Sequence, residues 1–128
     1  MKVTAEKNEK VANMIFGSIY PLYLNRLVKN GRTQEELDQV LEWFTGHDKT
    51  AIQAMIDQKV TFRTFFEKAT IHANSHLIKG VVCGYRIEEI EPEFELYKQC
   101  RQMEKLIDEL AKGRKMEKIL RQEKKVAN

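Results

Sequence analysis

Apolar positions along this chain recur in threes and fours, separated by short polar breaks. Leu37, Val40, Leu41 and Phe44 fall at i, i+3, i+4 and i+7, a single stripe on an amphipathic helix. Thr33 and Glu36 ahead of that stripe have capping-box spacing: the hydroxyl accepts from the backbone three residues on, and the carboxylate reaches back. Glu35, Glu36 and Asp38 place negative charge near the positive end of the helix dipole, and Gly46 supplies a left-handed stop. This stretch predicts a complete helix.

The flanking segments read as partners for it. Residues 1–10 are polar and predict a frayed start. Val11, Met14 and Ile15 predict a short helix broken near Gly17. Ser18 is placed to cap the next helix, with Pro21 in its first turn and Tyr20, Tyr23, Leu24, Leu27 and Val28 on its buried face. Asn30-Gly31 is a turn signal. Asp48 offers a cap for a helix carrying Ala51, Ile52, Met55 and Ile56. Thr61 offers another, for Phe62, Phe65, Phe66 and Ala69.

After Ala69 the period is lost, and residues 70–79 read as a loop. The run from Gly80 to Ile87 is the one β-favouring segment. A lone strand cannot satisfy its own ladder, so this run is either an extended turn buried among helices or a strand pairing with a second chain. The turn is the preferred reading. Glu91-Pro92 then opens a long helix whose Leu96, Cys100, Met103, Ile107 and Leu110 alternate by four and three. That seam is short for a coiled coil, so packing against the other helices is favoured over a dimer seam. Gly113 ends the helix, and Met116, Ile119 and Leu120 give a last basic helix a small apolar face.

These elements predict a mainly α fold: a single compact domain of five to seven short helices, with at most one short strand near residues 81–87. The helical body spans 11–112, and a basic C-terminal helix and tail spans 113–128. Joined by loops of a few residues, the early helices form an orthogonal or bundled array.

Composition changes this picture little. With 128 residues, 42% hydrophobic and 32% charged, the chain can bury a core without metals or disulfides. It has no apolar run of the roughly 20 residues a membrane span needs, and its first residues lack the apolar core of a signal peptide. Cys83 and Cys100 lack a paired-motif spacing. A cytoplasmic location with reduced thiols, and no membrane partner, is the default expectation. Charge is more telling. Residues 112–125 hold seven basic side chains against Glu117 and Glu123, so this tail carries +5 of a net +3 and the rest is about −2.

Several segments in combination carry a family resemblance. They are Tyr-Pro-Leu-Tyr-Leu at 20–24, Gly-Arg-Thr-x-Glu-Glu-Leu-Asp at 31–38 and Trp-x-Thr-Gly at 43–46. Cys-Gly-x-Arg-x-Glu-Glu-Ile-Glu at 83–91 and the run from Leu106 to Leu120 extend it. Together they resemble the bacterial domain of unknown function 2200, a family of small proteins, over residues 11–121. The resemblance implies a bacterial cytoplasmic domain and brings no catalytic residue with it.

Candidate chemistry is thin. His72 and His76 are spaced i, i+4, as two metal ligands on one helix face would be, but Asn74 and Ser75 argue against a helix there. His47 follows the Gly46 stop and is placed to meet carbonyls at that helix end. Cys83 lies near Arg86, and a thiolate beside an arginine can have a lowered pKa and serve as nucleophile or redox sensor. Cys100 reads as packing. Arg86, Glu88, Glu89 and Glu91 form the densest charged group beside glycines, suited to acid–base work or cation binding, or merely to solvation. The aromatics Tyr20, Tyr23, Trp43, Phe44, Phe62, Phe65 and Phe66 read as core, with Trp43 displaced from its stripe and suited either to covering a neighbouring helix or to a partner surface. Lys112, Arg114, Lys115, Lys118 and Arg121 could contact a phosphate backbone or an acidic partner, though no recognised DNA-reading element precedes them.

The expectation is therefore a small non-enzymatic binding or interaction module without a cofactor, acting on a protein partner or by self-association. The first alternative is nucleic-acid association through the basic tail, residues 112–125. The second is an enzyme or redox protein using Cys83.

Overall fold

A computed structural model describes residues 2–121, which form seven α-helices and one minimal β-hairpin. Helix α1 spans Ala5–Ala12, α2 Phe16–Lys29, α3 Gln34–Thr45, α4 Lys49–Asp57 and α5 Phe62–Glu67. The hairpin pairs β1 (Val81–Val82) with β2 (Tyr85–Arg86), and α6 (Glu95–Ala111) and α7 (Met116–Ile119) complete the chain. The expected mainly α class holds. Lys124 and Lys125 of the basic tail lie outside the described residues.

Caps set the boundaries of α3, α4 and α5 as their sequences require. Thr33 Oγ1 accepts from the Glu36 N–H at 3.2 Å, and Glu36 Oε1 accepts from the Thr33 N–H at 3.0 Å. Asp48 and Thr61 accept in the same way from Ala51 and Thr64. Gly46 ends α3 at φ 75°, a conformation a Cβ would strain.

The beginning of the chain differs from its reading. The stretch expected to fray, residues 1–10, holds most of α1, capped by Thr4. Its polar side chains are used: Glu9 pairs with Arg63, and Asn8 Oδ1 accepts from the backbone N–H of Tyr97 at 3.1 Å. That bond caps the first turn of α6, whose own N-cap, Phe94, has no side-chain oxygen to offer. Nor does Ser18 cap α2, which starts at Phe16 and takes Gly17 into its body. A Cβ at Gly17 would come within 3.3 Å of Ile56 on α4, so a glycine lets the two helices pack closely. Pro21 consequently sits in the second turn, leaving the Gly17 carbonyl without its helical donor. Val28, assigned to the buried face, is exposed.

The core is an aromatic cluster seated on α6. Phe16 stacks on Phe65 with ring centroids 4.1 Å apart and meets Phe62 edge-on at 5.8 Å. Phe44, Leu27, Leu37, Val40 and Leu41 close around it. Helix α6 is the hub: α1, α2, α3, α5, α7 and the hairpin all pack on it. The Cys100, Met103, Ile107 and Leu110 seam is buried within this one chain, as the packing reading held.

The run over 80–87 corrects the two alternatives posed for it. It pairs with itself, Val81 opposite Arg86 and Val82 opposite Tyr85. Cys83 and Gly84 form the two-residue turn with φ of 51° and 81°, the doubly positive pattern of a type I′ turn that matches strand twist.

Candidate functional site

Helix α2, the hairpin and α6 enclose a cleft of about 540 Å³. Helix α2 contributes Leu22, Tyr23 and Arg26 to it, and the hairpin contributes Val81, Val82 and Cys83. Arg101, Glu104, Ile107 and Asp108 come from one face of α6, and Lys112 from the residue that caps its end. The hairpin is pinned over α6 by Lys105, whose ammonium donates to the Val81 carbonyl at 3.2 Å, and by buried Val82, Tyr85 and Ile87. The pinning leaves Val81 47% exposed, with Leu22 60% exposed on α2. Both would be covered in an ordinary core, and both line the cleft.

The polar wall is organised by two carboxylates one helical turn apart. Glu104 accepts from Arg101 at 2.6 Å. Arg101 in turn donates to the Tyr97 hydroxyl at 2.7 Å and lies over the rings of Tyr85 and Tyr97, 5.0 and 4.8 Å from their centroids. Asp108 accepts from Arg26 at 2.5 Å and from Lys112 at 3.0 Å. Burial pushes the Asp108 carboxyl up, but the bonds from Arg26 and Lys112 outweigh it and hold the group below its ordinary value. Tyr23, deep in the same wall, is pushed well above its ordinary value by burial.

Cys83 stands at the lip, exposed, with its thiol donating to Glu104 Oε2 at 3.2 Å. Burial and then the Glu104 bond raise its pKa, the reverse of the arginine-activated thiol read from sequence. Arg86 is not its neighbour in charge: it lies beyond the turn, 4.0 Å from Glu89. Arg86 and Glu89 instead border a separate recess of about 160 Å³ with Lys2, Val3 and Tyr85. Glu88 accepts from the Gly80 N–H at 3.0 Å and closes the base of the hairpin. The structure thus divides the Cys83, Arg86, Glu88 and Glu89 group among three tasks.

The other candidates also have local roles. His72 stacks on Trp43 with ring centroids 4.2 Å apart, and its Nδ1 accepts from the Asn74 N–H, at the start of a 3-10 turn within the segment read as a loop. The Nδ1 of His76 faces the Ala73 carbonyl. Among the described residues, no group of three or more His, Cys, Asp or Glu side chains is placed to hold a metal ion. His47 is buried and meets the Phe65 carbonyl of α5 at 2.9 Å, rather than carbonyls at the end of α3. Cys100 is buried, which raises its pKa strongly.

The basic tail is partly spent inside the fold. Arg121 makes two bonds to Glu109 at 2.6 and 2.8 Å, and Arg114 bonds the same carboxylate at 2.9 Å. Lys112 belongs to Asp108, while Lys115 and Lys118 are exposed.

Sequence reasoning missed Leu22, Tyr23, Arg26, Arg101, Glu104 and Asp108 as a site. A signal was there for the last three: they recur at i, i+3 and i+7 on α6, beside its apolar seam.

Residues 10–121 match the family described as uncharacterized protein conserved in bacteria (DUF2200). The chain belongs to this family. The crystal structure of uncharacterized protein SP1917 has a similar fold, with a TM-score of 0.80 and 34% identity over 88% of this chain and 91% of that one. No curated protein matches. Membership in DUF2200 covers α2, the hairpin and α6, so every cleft residue lies within the matched region. Among the described residues, no helix is long and apolar enough to cross a membrane.

Proposed function

We propose that this DUF2200 protein is a small, non-enzymatic binding module of the cytoplasm, and that the α2–hairpin–α6 cleft is its ligand-holding surface. The observation that carries this reading is a concavity of about 540 Å³ walled by exposed Leu22 and Val81. Ligand pockets typically measure roughly 300–1,000 Å³ and combine apolar walls with a few convergent polar groups. The charged side chains around it pair with one another, an arrangement suited to orienting a ligand. The thiol at the lip is bonded to a carboxylate, and burial and that bond raise its pKa, which weighs against nucleophilic or redox work. The nucleic-acid alternative is weakened by the commitment of Arg114 and Arg121 to Glu109.

The test is a nitrogen-15 NMR titration of the protein with a set of small apolar-bodied fragments. Shifts should cluster on residues 22, 23, 81, 82 and 107, and Leu22→Asp should weaken them without altering the spectrum elsewhere. Shifts scattered over the surface, or confined to the Tyr85 recess, would overturn the cleft as the binding surface.

A further inference from the structure

We infer that the cleft takes a small amphipathic monoanion: an apolar chain or ring carrying one carboxylate-type head group, with the head at the Arg26–Lys112 end and the body on Leu22 and Val81. This inference rests on the cleft being a binding surface and adds the charge and polarity of what fills it.

Three observations point the same way. First, two cations, Arg26 and Lys112, share the single carboxylate of Asp108, so their end of the cleft keeps one positive charge uncancelled. Second, the cations are the outer members of these pairs. The Arg26 and Lys112 side chains are 48% and 72% exposed while that of Asp108 is 14% exposed, so an arriving ligand meets the positive groups first. Third, the other wall adds no compensating negative charge. Glu104 is matched by Arg101, and the Lys105 ammonium is spent on the Val81 carbonyl, not on a carboxylate. A positively rimmed concavity with a low-dielectric wall concentrates anions. The apolar wall needs a ligand body that gains by leaving water, so a bare inorganic anion does not fit and neither does an apolar cation.

An eight-carbon chain with three different heads separates charge from apolar burial. The full chain is titrated by NMR with octanoate, octan-1-ol and octylammonium at neutral pH and low salt. Octanoate should bind about fivefold more tightly than octanol, the scale of one partly exposed ion pair, and octylammonium most weakly. Raising the salt should shrink the octanoate preference and leave octanol unchanged. In Arg26→Gln/Lys112→Gln, two exposed positions whose loss leaves the core intact, Asp108 loses both cations and octanoate should fall below the affinity of octanol. Equal affinities for the three probes at the cleft, or tightest binding by octylammonium, would overturn the anion inference and leave the binding surface standing. Absence of shifts at the cleft with all three would overturn both.

Discussion

Asp108 and Glu109 are neighbours on α6 and each gathers two cations, yet they do opposite things to the surface around them. Glu109 turns toward the C-terminal segment, where its side chain is 9% exposed and that of Arg121 13%. Arg121 is held a second time through its carbonyl, which accepts from the Asn74 side chain at 2.7 Å. The result is a closed strap: Ile119 and Leu120 are buried, and Gly113 at φ 86° provides the reversal that brings α7 back onto α6. Asp108 turns toward the cleft, where Arg26 and Lys112 stay in water. One residue of helical rotation therefore separates a charge cluster that completes the fold from one that faces outward. Counting charges in sequence cannot tell them apart, because the difference lies in burial.

The sharpest way to break that comparison is at Glu109. Glu109→Gln keeps the shape and removes the charge, leaving Arg121 and Arg114 without their carboxylate. Removing one partner of a fully buried pair costs about 3–5 kcal/mol because the other charge stays desolvated; with Arg121 13% and Arg114 46% exposed, the loss here should fall at or below the lower end of that range. Urea denaturation should show this loss in the midpoint with little change in slope. The loss should persist in high salt, since a buried pair is poorly screened. A cost near that of a surface pair would mean the strap is held by Ile119 and Leu120 alone.

Asp108→Asn probes the other side and should cost less, at most about 1 kcal/mol, because its cations are half exposed or more. Here added salt should erase much of the difference. The pH dependence has a definite sign. Asp108 titrates below its ordinary value of 3.8 in the folded protein, so its contribution is fully present above that value and is lost as pH falls through the lower, folded one. Wild type and Asp108→Asn should therefore differ by a constant amount at neutral pH and converge below about pH 4. A difference that instead grew on acidification would show that the carboxyl is not stabilised by its two cations.

What the sequence disclosed follows the same divide between local and tertiary causes. The helices α3, α4 and α5 were legible because Thr33, Asp48 and Thr61 cap within three residues of themselves. Helix α1 was not, since it buries little beyond Ala12 and is ordered by partners 50 to 90 residues away: Arg63, Tyr85 and Tyr97. The hairpin escaped because two-residue strands carry no alternation and Cys83-Gly84 is not the usual Asn-Gly turn pair. Leu22 was unreadable as a site residue for a related reason. It lies off the apolar stripe of α2, where only the arrival of the hairpin from sixty residues downstream makes it a wall of the cleft.

The two cysteines offer the finest test, because one reports on each environment. Cys100 is enclosed in the core, and Cys83 is exposed at the lip of the cleft. Both thiols have pKa values raised by burial; for Cys83 the Glu104 carboxylate adds to the effect by accepting the S–H and by opposing a second negative charge. Only the thiolate is alkylated, and an upward pKa leaves less of it at neutral pH. Iodoacetamide should therefore modify Cys83 of the native protein more slowly than a free thiol at neutral pH, with a rate midpoint above 9.0, and should leave Cys100 untouched until unfolding. Glu104→Gln should move the Cys83 midpoint downward, since Arg101 and Arg26, which favour the thiolate, then act unopposed. Octanoate in the cleft should slow the labelling of Cys83 by covering the sulfur and, by pairing with Arg26, should move its midpoint upward. Rapid labelling at neutral pH in the wild type would reverse the electrostatic reading of the lip and bring thiol chemistry back as the function of the open side.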